Sequence, residues 1–395
     1  METAEPFILY GAPASLYSGK ARSYLRKQRI DFVERSPGGD RYLQHVVPVI
    51  GRWIIPVLET PDGELVQDTA DIILYFERGD GRTHRRFSVY PDTPLQRAVS
   101  HVFELFGGEG LLRPAMHYRW NFDDENLDFL RSEFPLMAAP PEVADDAERR
   151  FDGMSRRMRK ACRGFGVSDQ SAPLVEAAFQ EWLDLFSAHL AEHPYLLGGR
   201  PTIGDFGLMA AMWAHLFRDP APQHLIKRRA PRVGRWVERM STGDPYEHEH
   251  EYDGRRGDLV GDDAVPPTVL AMMRHVADEW LPEIAAHVGF ANDWLAAHPE
   301  LVTGTNGLAD PGERVLGECE FAWRGVHITT RVLPYRFWLL QHLHDDLAEA
   351  GTADQQRVRA VFAQAGLEAL LDLRTDRRVE RVGNLEVWGP PTDGR

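Results

Sequence analysis

The order of strand and helix signals predicts a small α/β domain with a mixed sheet, followed by a helix-rich region. The first eighty residues alternate short apolar strands with amphipathic helices, and a Pro-Asp-Gly turn at residues 61–63 joins two of the strands as a hairpin. From about residue 94 to residue 241, apolar residues recur at helical spacing. With 395 residues, the chain is long enough for two or three domains.

The elements of the α/β region follow from local patterns. Short apolar or alternating runs predict strands, and Asp68-Thr69 precedes a helical pattern that stops at Gly79. Pro56 cannot donate a backbone hydrogen bond within a central strand, so either the strand begins there or the preceding peptide bond is cis. The expected strands are Phe7–Tyr10, residues 30–34, residues 53–59 and residues 65–66.

Residues 12–25 are the stretch most suited to chemistry. They lead from the first strand through a loop into a helix that ends near Gln28, which places Ser15, Tyr17 and Ser18 at the helix start. Backbone N–H groups are unpaired there and the helix dipole is positive, so an anion or a thiolate would be stabilised. The alternative is that Ser15 or Ser18 only caps the helix, because serine is a preferred N-cap.

Composition excludes several functional classes. The net charge of −15, from 45 basic and 60 acidic residues, argues against nucleic-acid binding and offers no attraction to anionic lipids. The two cysteines, Cys162 and Cys319, are far apart and are interpreted as free thiols in a reducing compartment. No apolar run is long enough to span a bilayer and no signal peptide is recognisable, so we expect a cytoplasmic protein without a membrane partner.

Within the helix-rich region, Thr202 and Asp205 predict a capping box at a helix start. Residues 242–262 are polar, acidic and glycine-rich, which is typical of a linker or long loop. Its His248 and His250 could form a metal clip, but no third ligand accompanies them, so we interpret them as solvated and expect no metal.

The C-terminal extension, residues 263–395, is expected to be mainly α-helical with small hairpins. A helical pattern runs from Val265 to Val288, and further helices are expected over residues 332–347 and 354–373. Hairpins are expected over residues 320–328 and 379–388. The sequence leaves open whether this extension packs onto the preceding region or forms a separate module.

Three stretches in this order resemble the thioredoxin-like domain of cytosolic glutathione transferases: residues 15–20, Ile55-Pro56-Val57-Leu58 and residues 68–72. The capping box lies where the family's all-helical domain has one. The resemblance implies a thioredoxin-like domain over residues 5–88 and an all-helical domain over residues 94–241. It also implies glutathione as co-substrate and a homodimer.

The resemblance implies a role for each matching residue. Ser15 would steady the glutathione thiolate, Val57 after Pro56 would pair with the peptide backbone, and Asp68 with Thr69 would hold the γ-glutamyl end. A hydroxyl donor at a helix start is needed because a free thiol has a pKa of about 8.5. Tyr17 is a rival donor to the sulfur. Ser18 is included in the glutathione-binding set, although one turn into the helix it should point elsewhere.

The sequence departs from the family pattern at two positions. Leu16 stands where many members have proline, and Ile54 stands where a lysine often holds the glycine carboxylate of glutathione. Arg52, included in the binding set, could replace that lysine, and so could Arg41 or His45.

The second substrate is expected between the two domains. His117, Tyr118, Arg119 and Trp120 are candidates for its wall, because an aromatic ring, a cation and a polar tip suit a small hydrophobic, conjugated or anionic electrophile. The alternative is that Tyr118 and Trp120 belong to the core or to a helix interface.

Two functions of different classes follow. The first is a glutathione-dependent transferase or lyase that performs conjugation, or ether or halide cleavage, through a thiolate stabilised by Ser15. The second is a non-catalytic binding or scaffold protein of the same fold, whose extension engages a partner. A low-molecular-weight thiol other than glutathione could also enter the same site.

Overall fold

The N-terminal part of the chain is a four-stranded mixed sheet. The computed structural model describes residues 5–138, 147–243 and 257–392. Strand β1 pairs in parallel with β2 and antiparallel with β3, which pairs antiparallel with β4, so the sheet order is β2-β1-β3-β4. The predicted order of strand, helix, strand, hairpin and helix is confirmed. The strands are Phe7–Tyr10 (β1), Phe32–Arg35 (β2), Val57–Glu59 (β3) and Leu65–Gln67 (β4).

Three helices accompany this sheet: Leu16–Gln28 (α1), Val47–Ile50 (α2) and Thr69–Arg78 (α3). A π-helical turn at Tyr42–Val46 precedes α2, and a 3₁₀ turn at Asp80–His84 follows α3. The strand expected over residues 53–59 is shorter than predicted, because β3 begins only after Pro56, which has no N–H to offer a ladder. The Ile55–Pro56 bond is cis, one of the two possibilities that the sequence allowed.

The region after residue 93 is helical, as predicted. At Gly107-Gly108 the regular helix gives way to a π-helical turn, Phe106–Gly110. The capping box of Thr202 and Asp205 is confirmed at the start of α10. The helices are Pro94–Leu105 (α4), Leu112–Trp120 (α5), Asp123–Glu133 (α6), Pro135–Ala138 (α7), Ala147–Arg163 (α8), Ala172–His189 (α9), Ile203–Ala214 (α10), Pro220–Arg229 (α11) and Pro231–Met240 (α12).

Two glycines allow α10 to pack closely against α4 and the π-helical turn. A Cβ atom on Gly107 would lie 2.3 Å from the backbone nitrogen of Leu208, and one on Gly207 would lie 2.4 Å from the Cα of Glu104. Any larger side chain would therefore force these helices apart.

The extension consists of helices and two hairpins, as predicted. The single helix expected from Val265 is instead two, because the first helix ends at Glu279 and Pro282, which lacks a backbone N–H, lies in the first turn of the second. Both hairpin turns, Arg324-Gly325 and Gly383-Asn384, have two residues with positive φ, the geometry that favours two-residue hairpins. The elements are Pro267–Glu279 (α13), Leu281–Ala297 (α14), Gly317–Trp323 (β5), Val326–Val332 (β6), Pro334–Glu349 (α15), Thr352–Gln364 (α16), Arg377–Val382 (β7) and Leu385–Pro391 (β8).

The extension packs onto the preceding region and is not a separate module. One apolar core cluster runs from Phe7 in β1 to Trp388 in β8. Helix α15 lies against α4, and the side chains of Phe337, Leu340 and Leu343 are buried in that shared core. The alternative that the sequence left open is therefore decided by packing.

Most of the predicted linker, residues 244–256 with His248 and His250, lies outside the described residues. The residues that follow it are bonded to the helical region. The Val260 N–H donates to the Leu197 carbonyl over 2.8 Å, and the Asp263 carboxylate accepts the N–H groups of Leu95 and Gln96 at the start of α4. None of the helices in the described ranges is long and apolar enough to cross a membrane.

Candidate functional site

Ser15 is the N-cap of α1. Its backbone is extended, and its Oγ accepts the N–H of Ser18 over 3.3 Å. The side chain is half-buried, and its hydroxyl proton has no acceptor among the residues that the structure describes. The two interpretations of this serine are therefore compatible, because one oxygen lone pair caps the helix while the proton stays available to a ligand.

The side chains of Tyr17 and Ser18 have different surroundings from the side chain of Ser15. The Tyr17 hydroxyl donates to Glu109 Oε1 over 2.8 Å, and burial, with the Glu109 charge, raises its pKa. Ser18 is fully buried next to Gly11, and its Oγ has no hydrogen-bond partner within the described ranges. Their predicted roles stay predictions, but both side chains are directed into the protein.

The backbone around Pro56 offers a position that the sequence argument missed. Val57 is paired on both sides within the sheet, with Tyr10 of β1 and Gln67 of β4. Ile55 lies outside the strands, and no backbone hydrogen bond to it is found in the part of the chain that the structure describes. Ile55, and not Val57, therefore has backbone groups free to pair with a peptide ligand. The sequence signal was present, since a strand that begins after proline leaves the residue before it unpaired.

Asp68 and Thr69 begin α3, and they connect it to α1. Asp68 has a φ of 83°, and its Oδ1 accepts the Ala70 N–H over 2.9 Å. The Thr69 hydroxyl donates to the Tyr17 carbonyl over 2.9 Å. The structure thus brings the starts of α1 and α3 together at one end of the sheet, as a single ligand site requires.

The extension contributes side chains to this same place. The Tyr335 hydroxyl donates to Asp68 Oδ1 over 2.6 Å. Arg381 Nη2 donates to Gln67 Oε1 over 3.1 Å and to Asp71 Oδ2 over 2.8 Å. Sequence reasoning missed both residues, because no local pattern shows that positions more than 260 residues apart are neighbours.

Of the three candidates for holding a carboxylate, Arg52 lies nearest to this cluster. Its Nη2 donates to the Asn384 carbonyl over 2.6 Å, and its Nε and Nη1 are buried without a partner in the described ranges. Burial lowers the pKa of Arg52, and the nearby Arg314 lowers it further. Arg41 is bonded to Glu59 and Tyr10, and His45 is exposed on the π-helical turn.

The four residues expected to form the substrate wall are all buried. His117 Nε2 lies 3.0 Å from Glu176 Oε1, and burial lowers its pKa. The Tyr118 ring stacks on Phe122. Their assignment stays a prediction, but these two side chains are engaged between helices, which agrees with the alternative of interface packing that the sequence allowed for Tyr118.

Arg119 joins the helical region to the loop before Ser15. It makes two bonds to the Asp219 carboxylate, of 2.6 and 2.8 Å, and Nη1 donates to the Ala14 carbonyl over 2.8 Å. Trp120 belongs to the same apolar cluster as Ala14. Of the four residues, Arg119 is therefore the one bonded to the loop that carries Ser15, and it holds that loop in place.

One group of side chains has metal-ligand chemistry. Candidate ligand atoms of Glu181, His275 and Glu279 lie within 4.8 Å of one another. Arg324 already bonds both carboxylates, and its positive charge would oppose that of a cation. These residues are better described as an ion pair that joins β5–β6 to α9 and α13.

Comparisons with known proteins define the class. Residues 9–84 match the family model of the glutathione S-transferase N-terminal domain, and residues 141–239 match that of its C-terminal domain. The chain thus matches both domains of the glutathione S-transferase superfamily, in the family's order. The extension lies outside both models.

Among solved structures, the chain is similar to a glutathione S-transferase from Sinorhizobium meliloti 1021, with 17% identity over 60% of this chain and 88% of that one, and a TM-score of 0.37. A β-etherase from Sphingobium sp. strain SYK-6 has 17% identity over 60% and 95%, with a TM-score of 0.41. A glutathione transferase from Phanerochaete chrysosporium has 14% identity over 62% and 100%, with a TM-score of 0.43. No curated protein matches the sequence significantly.

Proposed function

We propose that this protein is a thiol-dependent transferase or lyase of the glutathione class, which uses a thiolate stabilised by Ser15 to attack a small electrophile. The observation that supports the proposal most is the Ser15 hydroxyl, whose oxygen caps α1 and whose proton is left for a ligand. A thiolate there would receive this proton in a hydrogen bond and would lie at the positive end of the helix dipole. Both effects stabilise the charged form, so they lower the thiol pKa.

The remaining roles follow from this placement. The unpaired backbone of Ile55 would bind the cysteinyl part of the thiol, and the start of α3 at Asp68 and Thr69 would lie at its far end. The electrophile would approach on the side where Arg119 of the helical region bonds the Ala14 carbonyl of the Ser15 loop. We infer the domain division of residues 5–88, 94–241 and 263–395, and a cytoplasmic homodimer, from the family resemblance.

The experiment is a thiol titration on the whole chain with two thiols. These are glutathione and glutaryl-cysteinylglycine, which is the same molecule without the amino group. We expect the ultraviolet absorbance of the bound thiolate to appear at a lower pH than in free solution, where the pKa is about 8.5. In Ser15→Ala the thiol pKa should return towards that value, and conjugation to aryl halides and epoxides should be lost. Ser132→Ala is the matched control, since this serine is exposed on α6 and its hydroxyl bonds the Phe129 carbonyl of the same helix.

If neither thiol binds and no electrophile of the panel is conjugated, the enzymatic proposal is wrong. The scaffold function would then be preferred. One observation favours that second candidate: the polar groups of His117 and Arg119 are already bonded within the protein and leave little for a substrate.

A further inference from the structure

Tyr17 connects the helix turn that follows Ser15 to two other parts of the protein. Its hydroxyl donates to Glu109 Oε1 over 2.8 Å, in the π-helical turn after α4. Its backbone carbonyl accepts the Thr69 hydroxyl over 2.9 Å, at the start of α3. The side chain and the backbone of Tyr17 are therefore both held, two positions after the serine that would steady a thiolate.

Glu109 is in turn held by the C-terminal extension. Its second oxygen, Oε2, accepts Nε–H of Arg336 in α15 over 3.1 Å, and Arg336 Nη1 donates to Glu283 Oε1 in α14 over 2.6 Å. These three charged residues are buried, each at 4% exposure or less. Because a buried charge without its partner is costly, the chain of bonds from Arg336 through Glu109 to Tyr17 stays intact in the folded protein.

The phenol proton of Tyr17 is engaged in this chain, whereas backbone donors beside it are not. Burial and the Glu109 charge raise the pKa of Tyr17, so the phenol stays protonated and donates to the carboxylate. No acceptor for the N–H groups of Leu16 and Tyr17 is found among the described residues. These N–H groups accompany the Ser15 hydroxyl at the start of α1, so their direction depends on how the first turn of that helix is held.

This inference rests on the proposed function. We propose that Tyr17 is a positioning residue: the extension, acting through Arg336 and Glu109, fixes Tyr17 and with it the first turn of α1, which aligns the Ser15 hydroxyl and the N–H groups of that turn on the bound thiolate. The phenol acts through Glu109 and does not touch the sulfur. The stabilisation of the charged sulfur would then depend on a part of the chain outside both glutathione S-transferase domain matches.

Tyr17→Phe tests the positioning role, because it keeps the ring and removes only the bond to Glu109. The bound thiol, glutathione or glutaryl-cysteinylglycine, is titrated by its ultraviolet absorbance on the whole chain. We expect the thiol to stay bound and its pKa to rise by about one unit, a tenfold loss of thiolate stabilisation. The matched control is Tyr24→Phe, on the same helix, which removes a bond of the same kind and length, 2.8 Å, to the buried Glu77. It should leave the thiol pKa at the wild-type value.

Arg336→Lys tests the part played by the extension. A lysine keeps the positive charge, but its compact ammonium group cannot bond two carboxylates in the geometry of a guanidinium. The thiol pKa should rise as in Tyr17→Phe, and the double variant should show no further rise, because both substitutions interrupt one chain of bonds. An unchanged thiol pKa in folded Arg336→Lys, or effects of the two substitutions that add, would mean that Tyr17 acts without the extension and would overturn the inference.

The outcomes separate the inference from the proposed function. Circular dichroism confirms the folding of each variant, and Tyr17→Phe decides the question even if Arg336→Lys does not fold. Equal thiol pKa values in wild type, Tyr17→Phe and Tyr24→Phe, with a raised value in Ser15→Ala, would overturn the inference and leave the proposed function intact. If neither thiol bound to the wild-type chain, both would be overturned.

Discussion

The starts of α1 and α3 are built alike in sequence but differ in what covers them. At α1, the Ser15 cap keeps a hydroxyl proton without an acceptor in the described ranges. At α3, the Asp68 cap is covered by Tyr335, and its neighbours by Arg381. The difference teaches that a helix start becomes a ligand site only where no distant part of the chain satisfies it first.

The largest effect is expected from a substitution that weakens the attachment of the extension, which is the part of the chain that covers the start of α3. Arg336→Met would leave the fully buried Glu109 carboxylate, whose pKa burial already raises, with Tyr17 as its only side-chain partner among the described residues. Loss of one partner of a buried pair costs about 3–5 kcal/mol, so the free energy of unfolding in urea should fall by that amount. The matched control is Arg359→Met, which removes an exposed pair with Asp372 and should cost less than about 1 kcal/mol. If the free energy of unfolding fell by a similar amount in both variants, burial of the Arg336–Glu109 pair would not explain the loss.

A second test uses pH. Burial, with the charge of Arg336, lowers the pKa of His287 to about 3, so the folded protein keeps it neutral while the unfolded chain protonates it below about 6.5. Protonation of the unfolded state removes stability as pH falls through this range. His287→Gln should therefore be less stable than wild type at pH 7.5, but its deficit should shrink below pH 6.5 by about 1.4 kcal/mol per pH unit. Urea unfolding at several pH values measures this, and a constant deficit would show that His287 is not held neutral.

The contact between the extension and α3 can be weakened alone. Tyr335→Phe removes the hydrogen bond to Asp68 without removing the ring. A hydrogen bond to a charged group contributes about 1.5–3 kcal/mol, and the variant should be destabilised by that order. Chemical denaturation measures the change. No loss of stability would mean that the Asp68 carboxylate is equally well satisfied without the phenol.

The smallest effects concern α1. Ser15→Ala removes an N-cap and should cost about 1 kcal/mol. Ser18→Ala removes a buried hydroxyl that has no partner within the described ranges, so it should be neutral or slightly stabilising. Thermal unfolding of the two variants side by side measures the difference, and equal destabilisation would argue against the capping role of Ser15.

Local patterns were sufficient for most of the fold. The order of strands and helices along the α/β region, the capping box at Thr202 and both hairpins of the extension were predicted, because each depends on spacing within a few residues. The break at Trp280 was missed, since apolar spacing continued across it although Pro282 indicated a new helix start. The shortened β3 was missed because Ile54 and Ile55 are good strand residues outside the ladder.

The candidate site was predicted in part. Ser15, Asp68 and Thr69 lie at the same end of the sheet, as the order of motifs indicated. His117 instead bonds Glu176, because a helical pattern identifies which residues share a face but not what that face will contact. The proline after Ile55 was a sequence signal for its free backbone, and the pairing of Val57 in the sheet shows that the strand begins after that proline.

The sequence by itself determined the helix and strand order, the caps at Ser15 and Asp68, and the similarity of residues 9–84 and 141–239 to the two glutathione S-transferase domains. The tertiary structure alone decided that the extension shares the core of that unit and that Tyr335 and Arg381 cover the start of α3. The physical reason is the distance along the chain over which the interactions act. Caps and strands depend on hydrogen bonds between near neighbours, whereas covering a site depends on which buried surfaces meet across the whole chain.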